Sequence, residues 1–295
     1  MSYTLDLYFE PAVRRHHLIE YFAARPHFSI KKDDVVYYEN KDTGVYFFLK
    51  LRCSRNIVFQ RRIVSAEFEM NYFRPSFFGI EAEKEMSAFI AAFKPRIEDP
   101  QMHGMGEGPY TREGFLSGWN FGNVFSASGR SPNKEYGWKI AVMPADQLRA
   151  VWEWNYQQAV RADRNPSLFV PVIRFLLSKG RCSRAVIWGQ GMPALLPKVD
   201  YVLVGRIVAG ERRFGLASWS EVQEIAQRAG LDPATDPLKL AYLVTPPAIA
   251  SWVANIPLID VDGLEELTAY QVLDAELFAN AQERFGGDQQ TFDPV

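Results

Sequence analysis

Hydrophobic and polar residues alternate with a two-residue period along much of the N-terminal part of the chain. Such alternation is typical of half-buried strands. Four segments show it: residues 3–9, 35–38, 45–51 and 57–72. Apolar residues at three- and four-residue spacing follow Pro11 and recur at 82–93, which predicts two helices. The order strand, helix, three strands, helix predicts an α+β unit with antiparallel hairpins.

Similar patterns resume after Tyr136 and predict a second mixed unit. The predicted strands are residues 138–142, 169–177, 184–188, 201–208 and 240–244. Helices are predicted to begin at Pro144, at a capping-box sequence from Ser218, and at Pro247. A last helix is predicted over 264–285, and its apolar stripe consists of Leu267, Tyr270, Leu273, Leu277 and Phe285.

Residues 99–133 lie between the two patterned regions and contain seven of the chain's twenty glycines. This concentration lowers the expectation of packed regular structure, apart from a short helix that begins near Thr111. We therefore predict an α+β fold of two mixed αβ units with largely antiparallel sheets, joined by a Gly-rich segment. The predicted divisions are an N-terminal domain at 1–98, a linker or functional loop at 99–133, a C-terminal domain at 134–286 and a polar tail at 287–295.

Composition narrows the class of protein. Of 295 residues, 33 are basic and 35 acidic, giving a net charge of −2, so no overall positive field attracts nucleic acid. Two cysteines, Cys53 and Cys182, are too few for a disulfide scaffold and fit a reducing compartment. The N-terminus has no secretory-signal pattern, and prolines interrupt the uncharged run at 240–259. We expect a cytoplasmic, soluble protein that binds neither nucleic acid nor membrane.

Motifs for catalysis, metal ions and cofactors are missing from the sequence. There is no Cys-x-x-Cys, no His-Glu-x-x-His and no Gly-x-Ser-x-Gly. The glycines at 104–108 are flanked by prolines rather than by a strand and a helix, so they do not match a dinucleotide-binding fingerprint. His103, beside them, is the one histidine in a glycine-rich setting. These patterns assign no catalytic residue, no metal ligand and no cofactor.

Charged residues are unevenly distributed. Residues 50–74 carry six bases against two acids, whereas residues 240–295 carry nine acids against one base. On the predicted last helix, Glu266, Glu276 and Glu283 are candidates for docking a basic partner protein. The alternative is a solvated acidic face, with some acids paired to the N-terminal arginines within the chain.

A chain without catalytic motifs and with separate basic and acidic regions resembles bacterial immunity proteins, which neutralise a cognate toxin. The resemblance is one of general character and assigns no role to any residue. It implies a non-enzymatic protein-binding module. We expect such a module to engage a partner protein through the Gly-rich segment and the acidic C-terminal region.

The competing hypothesis is an enzyme or small-ligand-binding protein with a polar pocket between the two halves, gated by residues 99–133. The candidate lining residues are His103, Tyr110, Arg112, Trp119, Asn120 and Asn123. On a helix from Arg112, Trp119 and Asn123 lie one turn apart and would stack on and hydrogen-bond a planar ligand. A deep pocket at His103 and Asn123 would favour this hypothesis, whereas an exposed aromatic patch would favour the protein-binding module.

Overall fold

The computed structural model describes residues 1–31, 34–54, 62–131 and 139–286. Contacts between Cα atoms divide the chain into two compact units. Unit 1 consists of Met1–Leu148 and Ala269–Val295, and unit 2 consists of Arg149–Thr268. Both combine helices with mainly antiparallel sheets, so the predicted α+β class is confirmed. The predicted division into domains at 1–98 and 134–286, with a linker or functional loop at 99–133, stays a prediction.

The elements of unit 1 come from both ends of the chain. From the N-terminus they are β1 (Ser2–Arg14), α1 (Arg15–Ala23), β2 (Phe28–Ile30), β3 (Val35–Glu39), β4 (Tyr46–Cys53), β5 (Arg62–Asn71), α2 (Phe77–Phe93), β6 (Arg96–Glu98), α3 (Arg112–Ala127), β7 (Ala141–Met143) and α4 (Ala145–Tyr156), which continues into unit 2. Six strands form one antiparallel sheet in the order β2-β3-β4-β5-β1-β6.

The alternation in β1 buries Tyr3, Leu5, Leu7 and Phe9 on one face of this sheet, as the two-residue period predicts. The helix predicted from Pro11 begins four residues later, at Arg15. The difference arises because β1 resumes pairing with β5 at Val13 and Arg14 after an irregularity, so strand pairing overrides the local start signal. Residues 57–61 of the predicted long strand lie outside the described part of the chain.

Glycines shape the packing of α3. The helix predicted to begin near Thr111 is present as α3, and Gly114, Gly118 and Gly122 recur at four-residue spacing on its buried face. A Cβ atom at Gly118 would lie 2.8 Å from the Tyr3 hydroxyl, and one at Gly122 would lie 2.1 Å from Cζ of Tyr72. These glycines therefore permit close approach of the helix to the sheet.

Unit 2 is one continuous stretch of chain. After α4 it contains α5 (Gln158–Arg164), β8 (Arg174–Ser178), β9 (Arg181–Gly189), β10 (Ala194–Leu196), β11 (Tyr201–Val208), β12 (Glu211–Ser218), α6 (Trp219–Arg228), β13 (Leu238–Leu240), α7 (Pro247–Asn255) and β14 (Glu265–Leu267). Its main sheet has the order β12-β11-β9-β8-β14, in which only β9 and β11 are parallel among the described strands.

Local signals predicted several elements of unit 2 well. The predicted capping box is present, because Ser218 and Glu221 cap each other's backbone at the start of α6. Strand β11 has the predicted bounds, and α7 begins at Pro247 as expected. The strand predicted at 240–244 is wrong, since β13 ends at Leu240.

The predicted C-terminal helix over 264–285 is also wrong. Only its second half is helical, as α8 (Ala275–Phe285), and it follows the short strand β15 (Val272–Asp274), which pairs with β7. Farther upstream, β14 pairs with β8 in unit 2. Pairing with distant strands therefore competes successfully with the helical spacing of the apolar residues.

Asp274 is a buried acid in this acidic region of the chain. Its side chain is only 3% exposed and accepts hydrogen bonds of 2.7 Å from the backbone N–H and the hydroxyl of Ser76. Burial raises the pKa of Asp274, although the hydrogen bonds from Ser76 oppose the shift. This carboxyl group therefore connects β15 to the start of α2 rather than to solvent.

Cys53 and Cys182 do not form a disulfide bond, as their small number predicts. Burial, assisted by the Asp200 carboxylate, raises the pKa of the Cys182 thiol to about 11.

Because the thiolate is the reactive form, we expect Cys182 to react with iodoacetamide at pH 8 on the order of 100-fold more slowly than an unperturbed thiol. The rate should rise with pH up to about 11. Equal alkylation rates in the folded and denatured protein at pH 8, measured by mass spectrometry, would contradict this.

No helix among the described residues is long and apolar enough to span a membrane.

Candidate functional site

Four aromatic side chains form a continuous strip on unit 1, here named the aromatic strip: His103, Phe121, Phe125 and Phe285. The rings of His103 and Phe121 have centroids 3.9 Å apart, and Phe285 meets Phe121 and Phe125 edge-on at 5.9 Å and 5.3 Å. His103 is exposed, and Phe125 is 47% exposed. Two helices, α3 and α8, and the loop before α3 thus present an aromatic surface to solvent.

The helix that carries Phe121 and Phe125 is fixed from its opposite face by Asn123. This side chain is 2% exposed. Its Oδ1 accepts the backbone N–H groups of Phe73 at 2.7 Å and Arg74 at 3.1 Å, and its Nδ2 donates to the Arg74 carbonyl at 2.8 Å. Phe73 has a φ of 60°, in the left-handed region, which a non-glycine residue adopts only when the surrounding structure enforces it. Asn123 therefore holds an irregular chain segment against α3.

Trp119 is fully buried one turn before Asn123. Its indole ring stacks on Tyr72 at 5.5 Å and lies so close to Gly79 that a Cβ atom there would be 2.2 Å from the indole Cδ1. Its Nε1 has no hydrogen-bond partner among the described residues. The structure thus places Trp119 and Asn123 in the interior of unit 1, where they contact protein rather than solvent.

Tyr110 and Arg112, both predicted site residues, meet at the buried carboxylate of Glu83. Arg112 Nε lies 3.3 Å from Glu83 Oε2, and the Tyr110 hydroxyl is 3.4 Å from Glu83 Oε1 and 3.1 Å from the hydroxyl of Ser87. Ser87 also donates to Glu83. Burial raises the pKa of Tyr110 well above its usual range, so the phenol stays protonated as a donor. This cluster joins α2 to the chain that enters α3, and exposed Asn120 takes no part in it.

The three acids proposed for docking are exposed but do not share one unit. Glu266 lies in unit 2 and pairs with Arg174. Glu276 and Glu283 lie on α8 in unit 1, seven residues apart and therefore on the same face of the helix. Glu276 accepts the backbone N–H of Ala145 at 3.0 Å, whereas Glu283 has no hydrogen-bond or ion-pair partner within the described chain.

The strip could be anticipated only in part. Phe121 and Phe125 are four residues apart, a spacing that places both on one side of a helix. The glycines of the same segment, however, predict a flexible loop rather than a helix with an aromatic face. The helical spacing predicts Phe285 in a buried stripe, and it is half-buried. His103 was singled out for its setting, and the structure brings it against Phe121.

Comparison with known proteins adds no identity to this geometry, because no protein-family model, curated protein or solved structure matches the chain. Among the described residues, no group of three or more His, Cys, Asp or Glu side chains is placed to hold a metal ion. The arrangement of the aromatic strip itself is therefore the main guide to function.

Proposed function

We propose that this chain is a protein-binding module whose contact surface is the aromatic strip of unit 1. The observation that carries the proposal is the exposure of Phe125 at the end of a chain of four touching rings. Aromatic side chains supply large contact area with few rotatable bonds, and they are enriched among the residues that dominate binding energy at interfaces. An exposed apolar cluster of this kind is typical of a docking surface.

Charge on the same helix supports a partner that is basic as well as apolar. Glu276 and Glu283 share the outer face of α8. Glu283 lies in the last turn, where the helix dipole is unfavourable to negative charge, and it forms no ion pair with a described residue. A lysine or arginine of a partner would compensate that charge. The partner we propose therefore presents an apolar side chain to the strip and basic side chains to α8.

The strip is tested by Phe125→Ala, with Phe169→Ala as a matched control because Phe169 is 42% exposed in unit 2. Removing a dominant interface aromatic weakens binding by about 2 kcal/mol, or roughly 30-fold. We expect affinity capture from cell extract, quantified by mass spectrometry, to retain a partner with the wild type and Phe169→Ala but not with Phe125→Ala. The purified partner should show the same difference in Kd. Identical captured proteins for all three chains would contradict the proposal.

The acidic face is tested by the double substitution Glu276→Gln and Glu283→Gln. Glutamine can still accept the Ala145 N–H, so we expect thermal stability to change little, by about 0.5 kcal/mol or less per site. Association with the captured partner should slow and lose part of its salt dependence, as stopped-flow measurements would detect. Glu266→Gln, which breaks an ion pair in unit 2, should leave the association rate unchanged. An unchanged rate for the double variant would leave these acids as a solvated face.

A further inference from the structure

Residues of unit 2 line a cavity of about 570 Å³ that is open to solvent. Its volume falls within the range of small-molecule sites, roughly 300–1,000 Å³. Apolar groups of Ile207, Val208 and Val253 line part of its wall. Polar side chains from Gln190, Arg206 and Thr245 line the rest. An apolar wall with a few convergent polar groups is the usual composition of a ligand pocket.

The cavity is positioned by the one parallel strand pair of the described unit 2 sheet. Strands β9 and β11 run side by side from Tyr201 opposite Ala185 to Gly205 opposite Gly189. Gln190 directly follows β9, and Arg206 lies near the end of β11, so the carboxyl ends of both strands meet at the cavity. In open parallel sheets this edge commonly binds ligands, and the unit 2 sheet shares that arrangement at this one strand pair.

Backbone geometry presents Gln190 at this edge. Its φ is 47°, in the left-handed region, and its N–H donates to the Gly205 carbonyl at 2.8 Å. Non-glycine residues in this region store strain of about 1–3 kcal/mol and cluster at binding sites. The side chains of Gln190 and Thr245 have no hydrogen-bond partners within the described chain, so both are available to a ligand.

Arg206 determines the charge of the cavity. Its Nη1 donates to the carbonyls of Val253, at 3.2 Å, and Ala254 at the end of α7, which holds the guanidinium in place. Its Nε is buried and has no acceptor in the described chain. No acidic side chain of the described residues lines the cavity. The positive charge is therefore not neutralised by the wall, and it would favour an anionic group on a ligand.

We propose that this cavity binds a small molecule composed of a carboxylate and an apolar body. The carboxylate accepts from Arg206, with Gln190 and Thr245 donating beside it, and the apolar body contacts Val208 and Val253. This site lies in unit 2 and does not depend on the protein-binding role of unit 1.

Octanoate is the probe, with octanol as a neutral probe of the same chain length. Titrations are followed by the NMR methyl signals of Val208 and Val253. We expect saturable shifts with octanoate and at least tenfold weaker binding of octanol. Gln190→Glu adds a negative charge without changing shape and should weaken octanoate binding at least tenfold. Gln227→Glu, the same change at an exposed site on α6, should have no effect.

Ala250→Phe fills the cavity from an exposed position on α7 and should abolish the octanoate shifts without loss of stability. Phe125→Ala should leave the octanoate shifts unchanged. The result of this test is therefore independent of the result for the aromatic strip. Any of three results would overturn the proposal. They are octanol binding as tight as that of octanoate, octanoate binding that is insensitive to Gln190→Glu or Ala250→Phe, and the absence of a saturable shift of the Val208 and Val253 methyl groups.

Discussion

Replacing Trp119 by alanine is expected to lower the free energy of unfolding by about 3–5 kcal/mol, the usual cost of removing a large buried aromatic side chain. The ring is fully buried, stacks on Tyr72 and contacts the backbone of α2 at Gly79. Urea denaturation followed by circular dichroism measures the change. A loss below about 1 kcal/mol, as expected of an exposed ligand-stacking residue, would contradict the interior position of this side chain.

Gly79 provides a matched test of the same contact. In the wild type, Gly79→Ala should destabilise, because the new Cβ would lie 2.2 Å from the Trp119 ring. In the Trp119→Ala background that clash is gone, and alanine's better helix propensity should make the substitution neutral or stabilising. The two substitutions should therefore be strongly non-additive. Additive effects would show that the ring does not occupy the space beside Gly79.

Asn123→Ala is expected to destabilise unit 1 by about 3 kcal/mol, because two backbone N–H groups and one carbonyl lose their partner. The buried segment at Phe73, with its left-handed backbone, also loses the side chain that holds it. Hydrogen exchange of the Phe73 and Arg74 amides should accelerate in parallel with the loss of stability.

Asn120→Ala is the control, since Asn120 is exposed on the same helix and should change the free energy of unfolding by about 0.5 kcal/mol or less. If Asn123 instead served mainly to bind a ligand, its replacement would be as mild as that of Asn120. Equal stabilities for the two variants would thus contradict the structural role.

Elements with strong local signals were predictable from the sequence. Strand β11 is a run of β-branched and apolar residues, and the capping box joins Ser218 to Glu221. Both signals depend on residues close together in sequence, so the sequence pattern is sufficient to predict them. The hairpin of β3 and β4 followed equally well from alternation on both sides of a turn.

Elements set by distant pairing were not predictable. The three-residue strands β6 and β10 carry too short a pattern and pair with β1 and β13, and residues 264–274 have helical spacing but pair with β8 and β7 instead. No local pattern distinguishes Asp274 from the exposed acids of this region, because its partner Ser76 is 198 residues away in sequence. Only the folded chain brings such residues together.

The candidate site was predictable to a similar degree. The sequence pattern indicates which polar and aromatic residues of 99–133 are candidate site residues, but it does not indicate which of them face solvent. Glycine can signal either flexibility or close packing, and the distinction depends on what approaches it. In α3 the approaching groups are Tyr3 of β1 and Tyr72, which directly follows β5. One side of the helix therefore faces inward, and Phe121 and Phe125 lie on the other.

The discontinuity of unit 1 has a consequence for the order of events on the ribosome. Unit 2 is contiguous, so it can form all its own contacts as soon as residues 149–268 have emerged. Unit 1 must wait for β15 and α8, and the Ser76 groups at the start of α2 meet Asp274 only 198 residues later. At 5–20 residues per second, this delay is about 10 to 40 seconds. Strand β7 is made within that interval and also lacks its partner strand until β15 has been synthesised.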